Sequence, residues 1–361
     1  MANNPLIGAP VSAIPTPAPI VDLDRLEGNL RRMASYFAAR PCKLRPHFKS
    51  HKCVELARRQ LAAGGCSGTT CAKLSEAEQL VAGGVTDILI ANQVVGSDKA
   101  RRLAVLNHKA TVRSAVDSVH NARELSAAAS NNNTTIPVLV EVDVGMKRCG
   151  VPPGEPALAL AQEIMRLPGL RFDGLQGYEG HLVALPDRDE RASKTREALA
   201  PLIETRRLIE RAGIPVAIVS SGGTGTYDIT GNIEGVNEVQ CGSYALMDGA
   251  YARIRPEFVV ARWILATVIS ARDGWAVVDV GTKGLGCEFG LPTIEGRPDA
   301  KARYTAEEHT PFDGLAAQVG DKLRIIPSHG CTTQNLYRQM WIARGDTIVD
   351  VWPIEGAGCL E

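Results

Sequence analysis

The sequence predicts an α/β protein: a (β/α)8 TIM-type barrel followed by a separate β domain. Three observations carry this. Up to about residue 245, short β-branched or apolar runs alternate with helical patterns of ten to twenty residues. Nine strand candidates fall in that stretch, eight of them after the first helix. Beyond about residue 255 the runs remain β-rich, with few helical stretches between them. A doubly wound open sheet is the rival fold. It would usually carry a glycine-rich dinucleotide fingerprint after the first strand, and none is present.

In chain order the strand candidates are Pro19–Leu23, Lys43–Phe48, Gly68–Ala72, Asp87–Ala91, Ala110–Val116, Pro137–Val144, Phe172–Tyr178, Pro215–Ser220 and Val236–Tyr244. After the first of them, Leu26, Leu30, Met33 and Phe37 recur at helical spacing. Ser75 with Glu78 three residues on reads as a capping box that starts a helix. The β-rich part offers Phe258–Ser270, Trp275–Val280, Lys322–Pro327, Met340–Ala343 and Thr347–Trp352.

Bulk properties exclude several classes. The chain has 361 residues, 45% of them hydrophobic, enough for a large core or two domains. Lys+Arg and Asp+Glu are both 40, so nothing advertises a nucleic-acid partner or an anionic membrane. No apolar run reaches the ~20 residues that span a bilayer. Met1 to Ala18 reads as an arm, not a signal peptide. Nine scattered cysteines fit reduced thiols in a cytoplasmic protein.

The chemistry-bearing residues gather at strand ends. In Arg45-Pro46-His47-Phe48-Lys49-Ser50-His51-Lys52, a strand running to Lys49 places Arg45, His47 and Lys49 on one face, with His51 beyond. So many cationic groups on a barrel strand need anionic or hydrogen-bonding partners, which a cofactor with a phosphate and a phenolate would supply. The plain alternative is an exposed basic edge strand. Asn92 and Gln93, then Asp143, Gly145 and Arg148, then Tyr178, Glu179, Gly180 and His181 follow three further strands. Ser221-Gly222-Gly223-Thr224-Gly225-Thr226 can aim backbone N–H groups at an anion, although an ordinary turn has the same composition. It lacks a P-loop lysine. His329 and Cys331, two apart at a strand end, suit Zn²⁺ with an open coordination position. A buried histidine beside an unrelated cysteine is the alternative. Glu307-Glu308-His309 offers ligands or acid–base groups, or a solvated patch. Lys73 and Glu76 read as helix surface, Cys66 and Cys71 as core thiols.

Taken together, these segments resemble the D-threonine aldolase and D-serine dehydratase family. The blocks are RPHFKSHK around Lys49, KLSEAE from Lys73, EVDVGMKRCG from Glu141, GLQGYEG from Gly174, SSGGTGTY from Ser220, EVQCGSYALMD from Glu238 and PSHGCTTQNLY from Pro327. They run in order over most of the chain. The resemblance implies an alanine-racemase-like fold, pyridoxal 5'-phosphate and a homodimer. It divides the chain into an arm and strand at 1–24 that joins the β domain, a barrel at 25–250, and a β domain with the metal site at 251–361. Lys49 matches the lysine that carries the cofactor as a Schiff base, with His47 beside it. Arg148 matches an arginine near the pyridine ring and Tyr178 a tyrosine at the cofactor. Ser221, Gly222, Gly223 and Thr224, with Gly242, Ser243 and Tyr244, match the phosphate cradle. His329 and Cys331 match a divalent-metal pair, Zn or Mn.

The implied activity is cleavage of β-hydroxy-D-amino acids to glycine and an aldehyde, with His181, Glu308 and His309 as candidate bases. The alternative is dehydration of D-serine or D-3-hydroxyaspartate to a 2-keto acid and ammonia, with Lys49 taking the α-proton. The aldolase branch carries His-x-Asp at the metal and the dehydratase branch His-x-Cys, as here. The glycine loop, CGSYALMD and NLY resemble the aldolase branch. Two other readings are a racemase, with Tyr304 or Tyr337 as its second base, and a non-catalytic cofactor carrier.

Overall fold

The structure, a computed structural model, describes residues 4–361. The chain forms two compact units. The first contains Ala34–Lys49, Ala57–Gly242 and Cys359–Glu361; the second contains the residues through Met33, Ser50–Leu56 and Ser243–Gly358. The chain therefore leaves the first unit immediately after Lys49 and again after Gly242.

The first strand, β1 (Ala18–Asp22), lies in the second unit. The first unit holds β2 (Lys43–Leu44), β3 (Thr69–Cys71), β4 (Asp87–Gln93), β5 (Thr111–Val116), β6 (Ile136–Glu141), β7 (Leu170–Gln176), β8 (Ile218–Ser221) and β9 (Glu238–Val239). All pair in parallel, in the order β2-β9-β8-β7-β6-β5-β4-β3. Parallel bridges Leu44↔Cys66 and His47↔Thr70 join the two ends, so the sheet closes into a barrel. Every residue of β6 is buried, the pattern of a parallel strand covered on both faces. Helices lie between most of the strands, and two have side-chain caps. Ser118 accepts the Asn121 N–H ahead of Val119–Asn131, and Asp187 accepts the Glu190 N–H ahead of Arg188–Arg211.

Three local expectations are corrected here. The strand expected over Lys43–Phe48 keeps only Lys43–Leu44, and Phe48–Ser50 is a 3-10 turn. The capping box sits two residues earlier than expected. The helix is Leu74–Ala82, and the Glu76 carboxylate accepts the Lys73 and Ala72 N–H groups. Glu76 is consequently buried, not on a helix surface.

Ion pairs tie the first residues of β4 and β9 to arginines of neighbouring strands. Arg45 donates to Glu238 at the head of β9 (2.8 and 2.6 Å) and to Asp87 at the head of β4 (2.6 Å). Arg113 on β5 joins Asp87 (2.8 Å) to Asp173 on β7 (2.7 Å). A Cβ on Gly68, at φ +148°, would fall 2.3 Å from Arg45 Nη1, so only glycine leaves room for the guanidinium. The anions that Arg45 requires are protein carboxylates, not a cofactor.

The second unit is a nine-stranded, mostly antiparallel sheet. It adds β10 (Arg262–Arg272), β11 (Trp275–Val278), β12 (Thr293–Ile294), β13 (Lys301–Ala302), β14 (Thr310–Asp313), β15 (Lys322–Ile326), β16 (Gln339–Arg344) and β17 (Thr347–Pro353). Its main order is β13-β14-β11-β10-β1-β16-β17, with β15 pairing β10 and β12. β1 runs parallel to β16 and antiparallel to β10. Ile264, Val268, Val278, Phe312 and Ile325 form one apolar cluster; Val11, Ile14, Ile20, Leu265 and Ile348 form another. Among the described residues no helix is long and apolar enough to cross a membrane.

Candidate active site

In the barrel unit the strand C-terminal ends gather an amine, a phenol, a guanidinium and a glycine loop. Lys49 sits in the 3-10 turn after β2, half-buried. The segment before it is held on both sides. The His47 N–H donates to the Cys241 carbonyl, and the Thr70 N–H donates to the Pro46 carbonyl. His47 is buried, and its Nδ1 accepts the Lys49 N–H at 3.4 Å. Lys49 Nζ lies 5.9 Å from the centre of the Tyr178 ring, and the Arg148 guanidinium lies 5.6 Å from the same ring. Arg148 is carried by a loop that Asp143 shapes by accepting the Gly145 and Lys147 N–H groups.

Gly223 lies against Tyr178, since a Cβ there would fall 3.4 Å from the ring. Gly225 passes so close to Val183 that a Cβ would meet its carbonyl oxygen at 2.0 Å. Ser221, Gly222, Gly223 and Thr224 are all buried. Two of the donors expected to face an anion are already engaged. The Ser221 hydroxyl and the Gly222 N–H both donate to the carboxylate of Glu179. Gly242 ends the barrel unit; Ser243 and Tyr244 begin the next stretch of the second unit. His181 is exposed, beside Gly145.

The barrel also contains polar groups to which the sequence reading gave no role. Gln93 donates to Glu141 (2.7 Å) and Asp117 (3.2 Å), and Gln240 donates to Gln176 (3.0 Å) and Ser220 (2.9 Å). Burial pushes the Glu141 carboxyl above its ordinary range, against the pull of Gln93 and Arg148. The strand positions of these residues were visible in the sequence; their partners were not.

In the second unit, His329 and Cys331 come together at a strand-to-helix turn, beyond the end of β15. His329 caps the helix Gly330–Asn335, and Cys331 lies in its first turn. The turn is locked from below. Asp248 accepts the Gly330 N–H (2.8 Å), and Arg262 donates to the Gly330 carbonyl (2.9 Å) and to Gln334 (3.1 Å). A Cβ on Gly330 would fall 2.1 Å from Arg262 Nη2. Cys331 Sγ lies 3.5 Å from Ser50 Oγ and 3.9 Å from Ser243 Oγ. The His329 ring packs on Phe289 with centroids 4.4 Å apart. Its Nδ1 is buried without a hydrogen-bond partner, 3.5 Å from the Glu288 carboxylate. Burial lowers the pKa of His329, but Cys331, Asp248 and Glu288 outweigh it, so the net direction is upward. Among the described residues no three His, Cys, Asp or Glu side chains cluster as a complete metal site. Glu307, Glu308 and His309 are exposed, and Glu308 pairs with Lys283 at 2.9 Å. Tyr304 is exposed, and the Tyr337 hydroxyl donates to the Gly284 carbonyl.

A closed parallel barrel with a lysine and a tyrosine at its strand C-terminal ends, on a chain that also builds an antiparallel β unit, defines the alanine-racemase class of fold. The chain belongs to the family described as Alanine racemase, N-terminal domain, which matches residues 21–249. A serine-dehydratase domain family matches residues 261–343. The chain is 38% identical to a 3-hydroxy-D-aspartate aldolase of Paracoccus denitrificans (strain Pd 1222), covering 98% of this chain and 95% of that protein. It is similar to the crystal structure of D-threonine aldolase from Filomicrobium marinum, with TM-score 0.96 and 38% identity, covering 98% of this chain and 99% of that one. A D-threo-3-hydroxyaspartate dehydratase of Delftia sp. (strain HT23) is 30% identical, covering 93% of this chain and 96% of that protein.

Proposed function

We propose that this protein is a pyridoxal-phosphate-dependent lyase that splits β-hydroxy-D-amino acids into glycine and an aldehyde. The observation that carries the reading is the placement of the Lys49 amine and the Arg148 guanidinium about the Tyr178 ring, beside a buried glycine loop. The residues fit the cofactor. Lys49 is the amine that would hold it covalently. Tyr178 and Arg148 would flank its ring. The loop from Gly223 to Thr224, with Gly242, would take its phosphate. When bound, pyridoxal phosphate supplies an electron sink at the substrate Cα.

His329 and Cys331 fit a divalent ion, Zn²⁺ or Mn²⁺, because the imidazole stands close to a thiol and its Nδ1 is backed by the Glu288 carboxylate. Such an ion supplies Lewis acidity at the substrate β-hydroxyl. His181, exposed three residues after Tyr178, is the group we assign to take the β-hydroxyl proton at its imidazole; Glu308 and His309 are second choices. Lys49 stays the group that binds and releases the cofactor aldehyde. The full-length likeness to aldolases supports carbon–carbon cleavage over dehydration. Cys331 favours the second reading, a dehydratase yielding a 2-keto acid and ammonia. We place the enzyme in the cytoplasm as a homodimer, on its reduced thiols and its family.

The deciding experiment is product analysis with D-threonine, D-phenylserine and D-serine, each with and without chelator. Glycine plus an aldehyde, lost on chelation, is the expected result. A 2-keto acid plus ammonia would overturn the aldolase reading in favour of the dehydratase.

A further inference from the structure

Beneath the glycine loop lies a carboxylate that an anion site has no electrostatic use for. Glu179 is fully buried. Its Oε2 accepts the Ser221 hydroxyl at 2.9 Å and the Gly222 N–H at 3.1 Å. Its Oε1 accepts the hydroxyls of Thr226 at 2.7 Å and Thr230 at 2.5 Å. These donors span the loop. Two stand at its start, one at its end, and one in the helix Tyr227–Thr230 behind it. A carboxylate without water holds its charge only when such donors meet it.

The contacts continue toward the open side of the loop. Thr226 gives its proton to Glu179, which leaves its oxygen to accept the Gly223 N–H at 3.3 Å. Gly223 in turn lies against the ring of Tyr178, the residue before Glu179. One carboxylate thus fixes the loop start, the loop end and the tyrosine it packs on.

We propose that Glu179 is a positioning residue: the buried template on which Ser221–Thr226 is wound, setting the backbone of Gly223 and Thr224 for a phosphate it never touches. The inference rests on the pyridoxal-phosphate reading above. Two physical effects of neutralising Glu179 have opposite signs. Removing a negative charge near an anion site tightens the anion; removing the template loosens it. The proposal commits to loosening.

The test is cofactor binding by the full chain, wild type and Glu179→Gln, titrated with pyridoxal phosphate and with pyridoxal, which lacks the phosphate. Losing hydrogen bonds to a charged group should weaken pyridoxal phosphate by about tenfold or more while pyridoxal stays within about twofold. Unchanged or tighter pyridoxal phosphate overturns the proposal. So does an equal loss for both ligands, which marks general damage. Wild-type protein that binds pyridoxal phosphate no better than pyridoxal overturns the underlying reading, and this is seen without any variant. If Glu179→Gln does not fold, Thr230→Val removes a single bond to Glu179 from outside the loop. It should give a smaller, still phosphate-selective loss; no selective loss there also overturns the proposal.

Discussion

Nδ1 of His329 faces the carboxylate of Glu288 at 3.5 Å, and Thr332 donates to the same carboxylate oxygen at 3.0 Å. With Nδ1 turned to Glu288, Nε2 is the ring nitrogen left for an ion. A carboxylate behind a metal-binding imidazole fixes its tautomer and raises its basicity. Glu288→Gln should therefore weaken divalent-metal binding by about tenfold to a hundredfold, and His329→Ala by more. Titration of Zn²⁺ against a chromophoric chelator measures this directly. Wild-type affinity in Glu288→Gln would remove Glu288 from the site.

Lys49→Ala should abolish turnover and the near-visible absorbance of protein-bound cofactor, because it removes the amine that stands beside the Tyr178 ring. The fold should survive, since Lys49 is only half-buried and the segment before it is held by the backbone bonds of Pro46 and His47. The absorption spectrum of the purified variant, beside its circular dichroism, decides the matter. Retained turnover would sink the whole functional reading.

The parts legible in the sequence and the parts that were not differ in how local their causes are. Strands β4 to β7 were found within about three residues of their true bounds, because parallel strands buried on both faces read as apolar runs. β12, β13 and β14 were missed; two of them have only two residues, too short for any period to show. Alternation rightly flagged Arg45 as needing an anion. The partners lie 42 and 193 residues away, at Asp87 and Glu238, and nothing near Arg45 announces them. Glu179 is the same case. Its place at a strand end was readable, but its four donors come from 42 to 51 residues downstream. The His-x-Cys pair was legible as a spacing. The helical turn that brings it together depends on Asp248 and Arg262, which are remote in the chain.

The Arg45 pairs predict a separation of stability from catalysis. Arg45 and Glu238 are both buried, so Arg45→Ala leaves an unpaired carboxylate in the barrel. Such a loss destabilises by about 3–5 kcal/mol. Active sites of this fold lie at the opposite strand ends, so the folded fraction should keep its KM. Urea unfolding gives the first quantity and steady-state kinetics the second. Arg45→Met with Glu238→Leu should recover much of the lost stability, because an apolar pair leaves no buried charge behind. A large KM change in Arg45→Ala with little loss of stability would place Arg45 in the cofactor site after all.

Asp173 predicts the acid limb of the stability curve. Burial raises its pKa, but Arg171 at 2.6 Å and Arg113 at 2.7 Å more than offset this, so the carboxyl sits below its ordinary value. The folded state then binds fewer protons than the unfolded chain, whose aspartates titrate near about 3.9. The stabilisation is present in full above that pH and is lost as pH falls toward the lower folded value. Asp173→Asn should be less stable than wild type at pH 7, and the gap should narrow below about pH 4 as the wild-type carboxylate protonates. Urea midpoints measured from pH 7 down to pH 3 follow this. A gap that stays constant with pH would mean that Asp173 acts by shape and hydrogen bonding alone, with its charge contributing nothing.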